Sequence, residues 1–243
     1  MVIGGLEKLT LLDYPEHLAA IIFTQGCNFR CHFCYNPMLV LPREGRDEKN
    51  IRKKEKGFSP VSPKDLFLFL ESRKNRLEGV VITGGEPTLH ADLPDFIKKI
   101  KALGYLVKLD TNGTNPEMVE KLVREKLIDY IAMDLKAPLD KYHLVVGVSV
   151  NCEKLQKSVK IIKGSGLPYE FRTTVVPGLL ERGDFEAMGQ LIKGASKWYL
   201  QSFKSDTELV DANYQSKKAY TNKEMSDFAA IGREYVDLCE VRG

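Results

Sequence analysis

A loop with three closely spaced cysteines constrains this chain more than any other feature of its sequence. Cys27, Cys31 and Cys34 have the spacing C-x3-C-x2-C and directly follow residues 18–24, an apolar run typical of a short buried strand. Three thiolates on one loop can hold three corners of a cubic iron–sulfur cluster, which normally takes four cysteines. One iron is then left open, as a catalytic metal site requires. The spacing therefore predicts a cluster-binding loop over residues 24–36.

Two other interpretations of these cysteines stay open from the spacing alone. The thiols could bind zinc with His32 as the fourth ligand, or they could be unrelated buried thiols. Zinc sites usually have two C-x2-C pairs, and the sequence contains no second pair. Cys152 and Cys239 lie far from the loop in sequence, and we interpret them as free, packed thiols.

Composition and charge exclude several classes of function. The chain has 243 residues, enough for one large domain over 1–243, and its net charge of +3 is too small to indicate nucleic acid as the main partner. No run of eighteen apolar residues is present, so no membrane span is expected. The first residues lack the basic and apolar regions of a signal peptide, and we therefore expect a cytoplasmic protein with reduced thiols.

Strand and helix patterns alternate six times along the chain. This alternation predicts parallel strands with right-handed crossovers in an α/β fold, as an open, partial (β/α)6 barrel of one domain. The predicted strands are 18–24, 77–82, 105–109, 128–133, 167–176 and 198–203, and the last predicted helix is 222–238. Residues 43–57 are almost all charged, which favours a solvated insertion over a docking surface for an acidic partner.

Polar motifs follow the predicted strands, at the edge where parallel α/β folds place their chemistry. Thr83-Gly84-Gly85-Glu86-Pro87 follows the second strand; its glycines let the backbone approach a ligand and Glu86 suits an ammonium group. Asp110-Thr111-Asn112-Gly113 and Asp134-Leu135-Lys136 follow the third and fourth strands. The alternatives are a tight turn, a capping turn and a surface ion pair, respectively.

Arg172 lies within the apolar fifth strand. A guanidinium in such a strand needs a partner, because burial of an unpaired charge is costly. That partner could be an anionic ligand or a strand-end carboxylate in a structural ion pair.

The cysteine spacing, with the aromatic Phe33 before the last cysteine, resembles the signature of radical S-adenosylmethionine (SAM) enzymes. G-G-E-P resembles the segment of that family that binds the methionyl amine of SAM. D-T-N-G, D-L-K and the arginine segment 172–178 resemble those of glycyl radical enzyme activating enzymes. The resemblance covers roughly residues 4–205 and implies the partial barrel already predicted. Tyr35 stands where many activating enzymes have histidine.

The resemblance also implies roles for individual residues. Cys27, Cys31 and Cys34 would hold a [4Fe–4S] cluster whose fourth iron binds SAM. Asp110, Thr111, Asp134 and the backbone of Ala132 would bind a monovalent cation beside the SAM carboxylate, a chemistry that suits oxygen ligands. The implied cofactor-binding residues are Phe33, Gly84, Gly85, Glu86, Asp110, Thr111, Asp134, Lys136 and Arg172, with no catalytic side chain beyond the cluster and SAM.

The implied reaction is that of a radical SAM oxidoreductase. One electron from the reduced cluster cleaves SAM to a 5′-deoxyadenosyl radical, which abstracts hydrogen from a glycine of a partner enzyme. Flavodoxin or ferredoxin would supply the electron. The opening segment, Gly4-Gly5-Leu6 through Asp13-Tyr14-Pro15, resembles that of activating proteins of anaerobic ribonucleoside-triphosphate reductase.

Three other functions remain as alternatives. Two are enzymes, a pyruvate formate-lyase activating enzyme and a small-molecule radical SAM enzyme of the carboxy-deazaguanine synthase type. The third is a non-catalytic zinc or iron–sulfur redox sensor, which would explain the cysteines but neither Gly84-Gly85-Glu86 nor the pair of aspartates.

Overall fold

The computed structural model describes residues 1–40 and 61–243. The charged segment predicted over 43–57 lies outside the described residues. The described chain divides into two compact units. The first comprises Met1–Asn28, Asn36–Asp110 and Leu122–Tyr130, and the second comprises Phe29–Tyr35, Thr111–Lys121 and Ile131–Gly243. No helix among the described residues is long and apolar enough to cross a membrane.

The first unit is built on four strands in chain order. Strand β1 pairs antiparallel with β2, and β2, β3 and β4 pair in parallel, with Ile21 opposite Val81 and Val81 opposite Lys108. Tyr14, Ala19, Ile21, Val81 and Tyr130 form an apolar cluster in this unit. The strands are β1 (Ile3–Thr10), β2 (Ala19–Thr24), β3 (Gly79–Gly84) and β4 (Leu106–Thr111), and the helices are α1 (Pro37–Val40), α2 (Pro63–Ser72) and α3 (Leu93–Ala102).

Helix α2 begins at a capped first turn. The hydroxyl of Ser62 accepts the N–H of Asp65, and Pro63 occupies the first helical position, where a missing N–H costs nothing. Leu66 and Leu70, one turn apart, are fully buried, so an apolar stripe anchors the helix.

The second unit also has four strands in chain order, all parallel. Large apolar side chains fill its interior, among them Phe171, Phe185 and Trp198, each with no exposed surface. Its strands are β5 (Tyr130–Asp134), β6 (Tyr169–Val175), β7 (Lys197–Ser202) and β8 (Leu238–Arg242). Its helices are α4 (Pro116–Arg124), α5 (Tyr142–Val146), α6 (Cys152–Gly164), α7 (Arg182–Leu191) and α8 (Asn222–Gly232). The last residues of α4, from Leu122 onward, belong to the first unit.

The α/β class is confirmed, and the six predicted strands are present as β2 to β7, with β2 to β4 parallel in the first unit and β5 to β7 parallel in the second. Two further strands, β1 and β8, bring the number in the described residues to eight. The prediction of a helix over 222–238 is wrong in its second half, because α8 ends at Gly232 and the chain turns into β8. There is no space for a side chain at Gly232, because a Cβ there would lie 2.4 Å from the sulfur of Cys239 on β8.

Candidate active site

The cysteine loop begins at the carboxyl end of β2. Residues Ala19–Ile22 are buried, as the apolar run predicts, and the strand ends at Thr24. Cys27 follows in the first unit and is partly exposed, whereas Cys31 is buried and Cys34 partly exposed in the second unit. In the described chain none of the three forms a disulfide.

The G-G-E turn after β3 packs directly against the backbone that leads into the cysteine loop. The N–H of Gly85 donates to the carbonyl of Thr24 at 2.9 Å, and that of Glu86 donates to the carbonyl of Gly26 at 2.8 Å. A Cβ on Gly85 would lie 1.9 Å from the Gly26 oxygen. Gly84 has a φ of +116°, and a Cβ there would lie 2.3 Å from the Thr24 nitrogen. The glycines thus bring two backbone segments together, a role that the sequence did not reveal.

Glu86 is held rigidly behind this turn. Its side chain is buried, and one carboxylate oxygen accepts the N–H of Thr88 at 3.1 Å and its hydroxyl at 2.5 Å. The carboxylate therefore caps the short 3-10 turn Pro87–Leu89. The tight-turn interpretation is correct for the backbone, and the turn places a buried carboxyl group at the end of a strand.

At the end of β4, Asp110 forms a buried ion pair that was not predicted from the sequence. The ammonium of Lys108 lies 2.6 Å from a carboxylate oxygen of Asp110, and both side chains are buried. The ammonium also lies 5.7 Å from the ring centre of Tyr130. The sequence contained a signal for this ion pair, namely a lysine within the apolar strand 105–109. As for Arg172, a charged side chain in an apolar strand needs a partner of opposite charge.

Asp134, Lys136 and Arg172 form one ionic network in the second unit. Lys136 Nζ lies 3.0 Å from one oxygen of Asp134, and Arg172 Nε lies 3.1 Å from the other. All three side chains are at most a quarter exposed. Burial raises the pKa of Asp134, but the charges of Arg172 and Lys136 outweigh it and bring the pKa down to about 2. The predicted pair of Asp134 and Lys136 is present, but it is not a surface pair.

Lys136 also connects this network with the cysteine loop. Its ammonium lies 5.8 Å from the ring centre of Phe33, the aromatic residue before the last cysteine. Burial alone would lower the pKa of Lys136, but the negative charges of Asp134 and Cys31 raise it. Lys136 is therefore a permanent cation beside one of the predicted cluster ligands.

Tyr142 contacts the backbone of this network through its hydroxyl group and was not identified from the sequence. Its hydroxyl accepts the backbone N–H of Lys136 at 3.2 Å and lies 3.4 Å from the carbonyl of Asp134. Its ring packs on Phe29 with centroids 6.1 Å apart. Tyrosines at helix starts are common, so only the tertiary contact identifies this one.

The remaining residues predicted to bind the cation divide between the two units. Thr111 is buried in the second unit, and its hydroxyl accepts the N–H of Gly113 at 3.1 Å. Ala132 is fully buried on β5, whereas Asp110 belongs to the first unit. The side chain of Asn112 accepts the N–H of Thr114, so the capping-turn interpretation of D-T-N-G holds for this residue.

The segment after β7 covers the residues between the cysteines. The ring of His32 stacks on Tyr214 with centroids 5.5 Å apart, and its Nδ1 lies 3.3 Å from Asp211. The N–H of Asp211 donates to the carbonyl of His32 at 3.0 Å. Tyr35 stacks on Phe203 at 6.4 Å, and its hydroxyl accepts the N–H of Lys204 at 2.9 Å. His32 and Tyr35 are thus both held by residues that follow β7.

The residues present fit an iron–sulfur cluster better than a monovalent cation. Three thiols on one loop, with no disulfide among them, form the soft donor set that such a cluster requires. Within the described residues, no three His, Cys, Asp or Glu side chains are already gathered as a metal site. The carboxylates predicted to bind a cation each carry an ion pair with a lysine of their own unit. One oxygen of Asp110 and both oxygens of Asp134 are therefore already engaged by positive charge.

Comparison with known proteins places this arrangement in a family. The family model described as the Radical SAM superfamily matches residues 21–192, more than half of the chain. A protein of Methanocaldococcus jannaschii with the provisional name glycyl-radical enzyme activating enzyme is 31% identical over 246 residues, 99% of this chain and 95% of that protein. A pyruvate formate-lyase-activating enzyme of Streptococcus mutans is 29% identical over 79% of this chain and 72% of its own length.

A solved structure agrees at the level of the fold. The crystal structure of Streptococcus suis SuiB bound to precursor peptide SuiA matches with a TM-score of 0.63 and 19% identity, and covers 92% of this chain and 48% of that chain. Because the family model covers most of the chain and a relative of similar length shares almost a third of its residues, this protein belongs to the radical SAM superfamily, whose enzymes use a [4Fe–4S] cluster and S-adenosylmethionine.

Proposed function

We propose that this protein is an activase that generates a glycyl radical on a partner enzyme. The observation that carries the proposal is the likeness to the M. jannaschii activating enzyme over nearly the whole length of both proteins. That likeness extends beyond the family match at 21–192, so it includes more than the part that all radical SAM enzymes share. The match to a pyruvate formate-lyase-activating enzyme supports the same reaction class.

In this proposal, Cys27, Cys31 and Cys34 hold the cluster. When bound, the cluster supplies the single electron that cleaves SAM. The position of all three cysteines on one loop, with none of them in a disulfide, supports this role. The segment after β7 keeps the loop in place through His32 and Tyr35, so that fewer conformations have to be lost when the cluster binds.

We assign SAM binding to the polar residues that follow the strands. Glu86 is the partner for the methionyl ammonium, because its carboxylate is buried and fixed by Thr88. Arg172 and Lys136 are the partners for the methionyl carboxylate, because two cations share the single carboxylate of Asp134 and leave an excess positive charge. Phe33 contributes an apolar surface next to Lys136. Gly84, Gly85, Asp110 and Thr111 complete the proposed set.

The proposed partner is anaerobic ribonucleoside-triphosphate reductase, in the cytoplasm, with flavodoxin or ferredoxin as the electron donor. The opening segment from Gly4 to Pro15 supports this choice. Pyruvate formate-lyase is the second candidate, favoured by the S. mutans relative. The third alternative, a redox sensor without catalysis, is not supported, because these relatives are named as enzymes.

The test begins with anaerobic reconstitution with iron and sulfide, followed by reduction with dithionite in the presence of SAM. We expect release of 5′-deoxyadenosine, measured by chromatography, and none from Cys31→Ala. The reductase or pyruvate formate-lyase is then added, and electron paramagnetic resonance is used to detect the glycyl doublet. A doublet with the formate-lyase alone would overturn the choice of partner. SAM cleavage without a doublet on any glycyl radical enzyme would overturn the activase assignment.

A further inference from the structure

Lys108 is a charged residue in an apolar layer of the first unit. On the paired strands β2, β3 and β4, it shares a row with Ile21 and Val81, which belong to the apolar cluster around Tyr14 and Tyr130. Its side chain is 1% exposed, although lysine is among the residues least often buried. The apolar surroundings do not explain an ammonium group here.

The partner of Lys108 explains its burial. Its ammonium lies 2.6 Å from Asp110 and faces the ring of Tyr130 at 5.7 Å. An ammonium buried without a partner is strongly destabilising, and a short ion pair with an aromatic face offsets much of that cost. Lys108 and Asp110 are two residues apart on one strand, so their side chains lie on the same face. The strand therefore carries its own counter-charge to Asp110.

We propose that the Lys108 ammonium takes the place of a monovalent cation at Asp110, so that this protein binds SAM without Na⁺ or K⁺. Lys108 is a positioning residue in this proposal, because it acts through Asp110 and not on SAM itself. The inference rests on the SAM-binding role that we propose for Asp110.

The second carboxylate supports the same conclusion from its own unit. Asp134 has Lys136 on one oxygen and Arg172 on the other. Both carboxylates predicted to bind a cation are thus neutralised by side chains of the chain itself. A hard monovalent cation prefers oxygen ligands, and one oxygen of Asp110 and both oxygens of Asp134 already accept from ammonium or guanidinium groups.

The experiment measures SAM binding to the cluster-loaded protein by equilibrium dialysis, in choline, sodium and potassium chloride at equal ionic strength. Choline is too large to replace a coordinated metal cation. We expect the dissociation constant of the wild-type protein to differ by less than about twofold among the salts. In Lys108→Met, binding in choline should weaken by about tenfold or more, and Na⁺ or K⁺ should restore much of it.

A matched control and a second variant complete the design. Lys101→Met removes a comparable ion pair of the same unit, with Asp129 at 2.7 Å, but one that is partly exposed and away from the strand end. It should remain insensitive to the salt. Lys108→Arg retains the charge and should also bind SAM equally in all three salts. Melting temperatures measured in the same salts give an independent readout, with a stabilisation by Na⁺ or K⁺ expected only for Lys108→Met.

Two outcomes would overturn the inference. One is wild-type protein that binds SAM in sodium or potassium chloride but at least fivefold more weakly in choline chloride. The other is Lys108→Met that binds SAM as tightly as the wild type in every salt. Wild-type protein that binds no SAM in any salt would overturn the proposed function, and this inference with it.

Discussion

At the scale of single residues, the five cysteines differ in their surroundings. Cys27, Cys31 and Cys34 lie on one loop, whereas Cys152 is at the start of α6 and Cys239 is buried on β8. The sulfur of Cys152 lies 3.4 Å from the carbonyl of Leu139, a local contact within the second unit. The interpretation of Cys152 and Cys239 as free, packed thiols agrees with this placement.

We expect Cys31→Ala to lose the cluster and Cys152→Ala to retain it. Removal of one of three thiolates leaves too few protein ligands, whereas Cys152 contributes none. Iron and sulfide content after anaerobic reconstitution measures both variants. Cluster loss in Cys152→Ala would show that the ligand assignment is wrong.

The network around Asp134 predicts a dependence of stability on pH. Because the pKa of Asp134 is about 2 in the folded state, below its ordinary value of 3.8, its ionised form stabilises the fold at neutral pH. Because folding lowers the pKa of this carboxyl group, its contribution to stability is complete above about pH 5 and is lost as the pH falls towards 2. The shift corresponds to about 2 kcal/mol in the free energy of unfolding.

Arg172→Gln should therefore lower the free energy of unfolding by about 1–3 kcal/mol at pH 7. The difference from the wild type should shrink as the pH falls from 5 towards 2, because Asp134 becomes protonated first in the variant and, near pH 2, in the wild type as well. Urea unfolding of the apoprotein at several pH values measures this. Lys157→Gln, which removes an exposed pair with Glu117, should change the free energy by less than about 0.5 kcal/mol. An Arg172→Gln deficit that stays constant with pH would contradict the role of Asp134.

Much of this residue-level detail was beyond the sequence. The motifs identified Asp134, Lys136 and Arg172 one by one, and the lone arginine in an apolar strand correctly indicated a charged partner. That the partner is Asp134, 38 residues away, follows only from the pairing of β5 with β6, where Asp134 and Arg172 are opposite each other. Lys108, a lone lysine between apolar residues of its strand, is an equivalent signal for a second buried ion pair.

At the scale of elements, the ends of β2 and β3 are held together by backbone contact. Gly85 is essential to this contact, because the adjacent Gly26 carbonyl leaves no space for a methyl group. The G-G-E turn and the entry to the cysteine loop therefore form one hydrogen-bonded unit of backbone, although almost sixty residues separate them in the sequence.

Gly85→Ala should disrupt the contact between the G-G-E turn and the entry to the cysteine loop. A methyl group 1.9 Å from the Gly26 oxygen forces the two segments apart, and we expect a loss of about 3 kcal/mol in the free energy of unfolding, together with poor cluster incorporation. Denaturant unfolding and iron content measure the two effects. Gly183→Ala is the control, since a Cβ there meets open space in helix α7 and should stabilise by up to about 1 kcal/mol. Normal iron content in Gly85→Ala would contradict the structural role of the turn.

At the scale of the whole molecule, the carboxyl-terminal end of the chain completes the second unit. Strand β8 pairs in parallel with β7, with Cys239 opposite Trp198, and both side chains are fully buried. Burial raises the pKa of the Cys239 thiol to about 12, an effect that Arg233 only partly offsets. At neutral pH the thiol is therefore protonated as well as inaccessible.

Cys239 should consequently report the unfolding of the second unit. We expect iodoacetamide to modify the partly exposed Cys152 in native apoprotein at pH 8 and to leave Cys239 unmodified until urea unfolds the protein. Pulsed alkylation followed by mass spectrometry measures each site. If Cys239 reacted as fast as Cys152 under native conditions, β8 would not be an integral part of the fold.

The sequence by itself determined the class of this protein. The cysteine spacing, the motifs after the strands and the sixfold alternation of strand and helix are written in contiguous residues, because ligand spacing on a loop and the periodicity of a strand or helix are local properties. These features were sufficient for the α/β fold, for the radical SAM family and for the expectation of a cluster.

The tertiary structure decided which groups meet. Tyr142 beneath the Asp134–Lys136 turn, Tyr214 against His32 and β8 beside β7 all join segments whose contact depends on strand register and chain reversal. No local pattern specifies these pairings, since they result from how the whole chain minimises exposed apolar surface and unpaired buried charge. Among the counter-charges of the two strand-end aspartates, Arg172 belongs to this second category, whereas Lys108 and Lys136 lie only two residues from their partners.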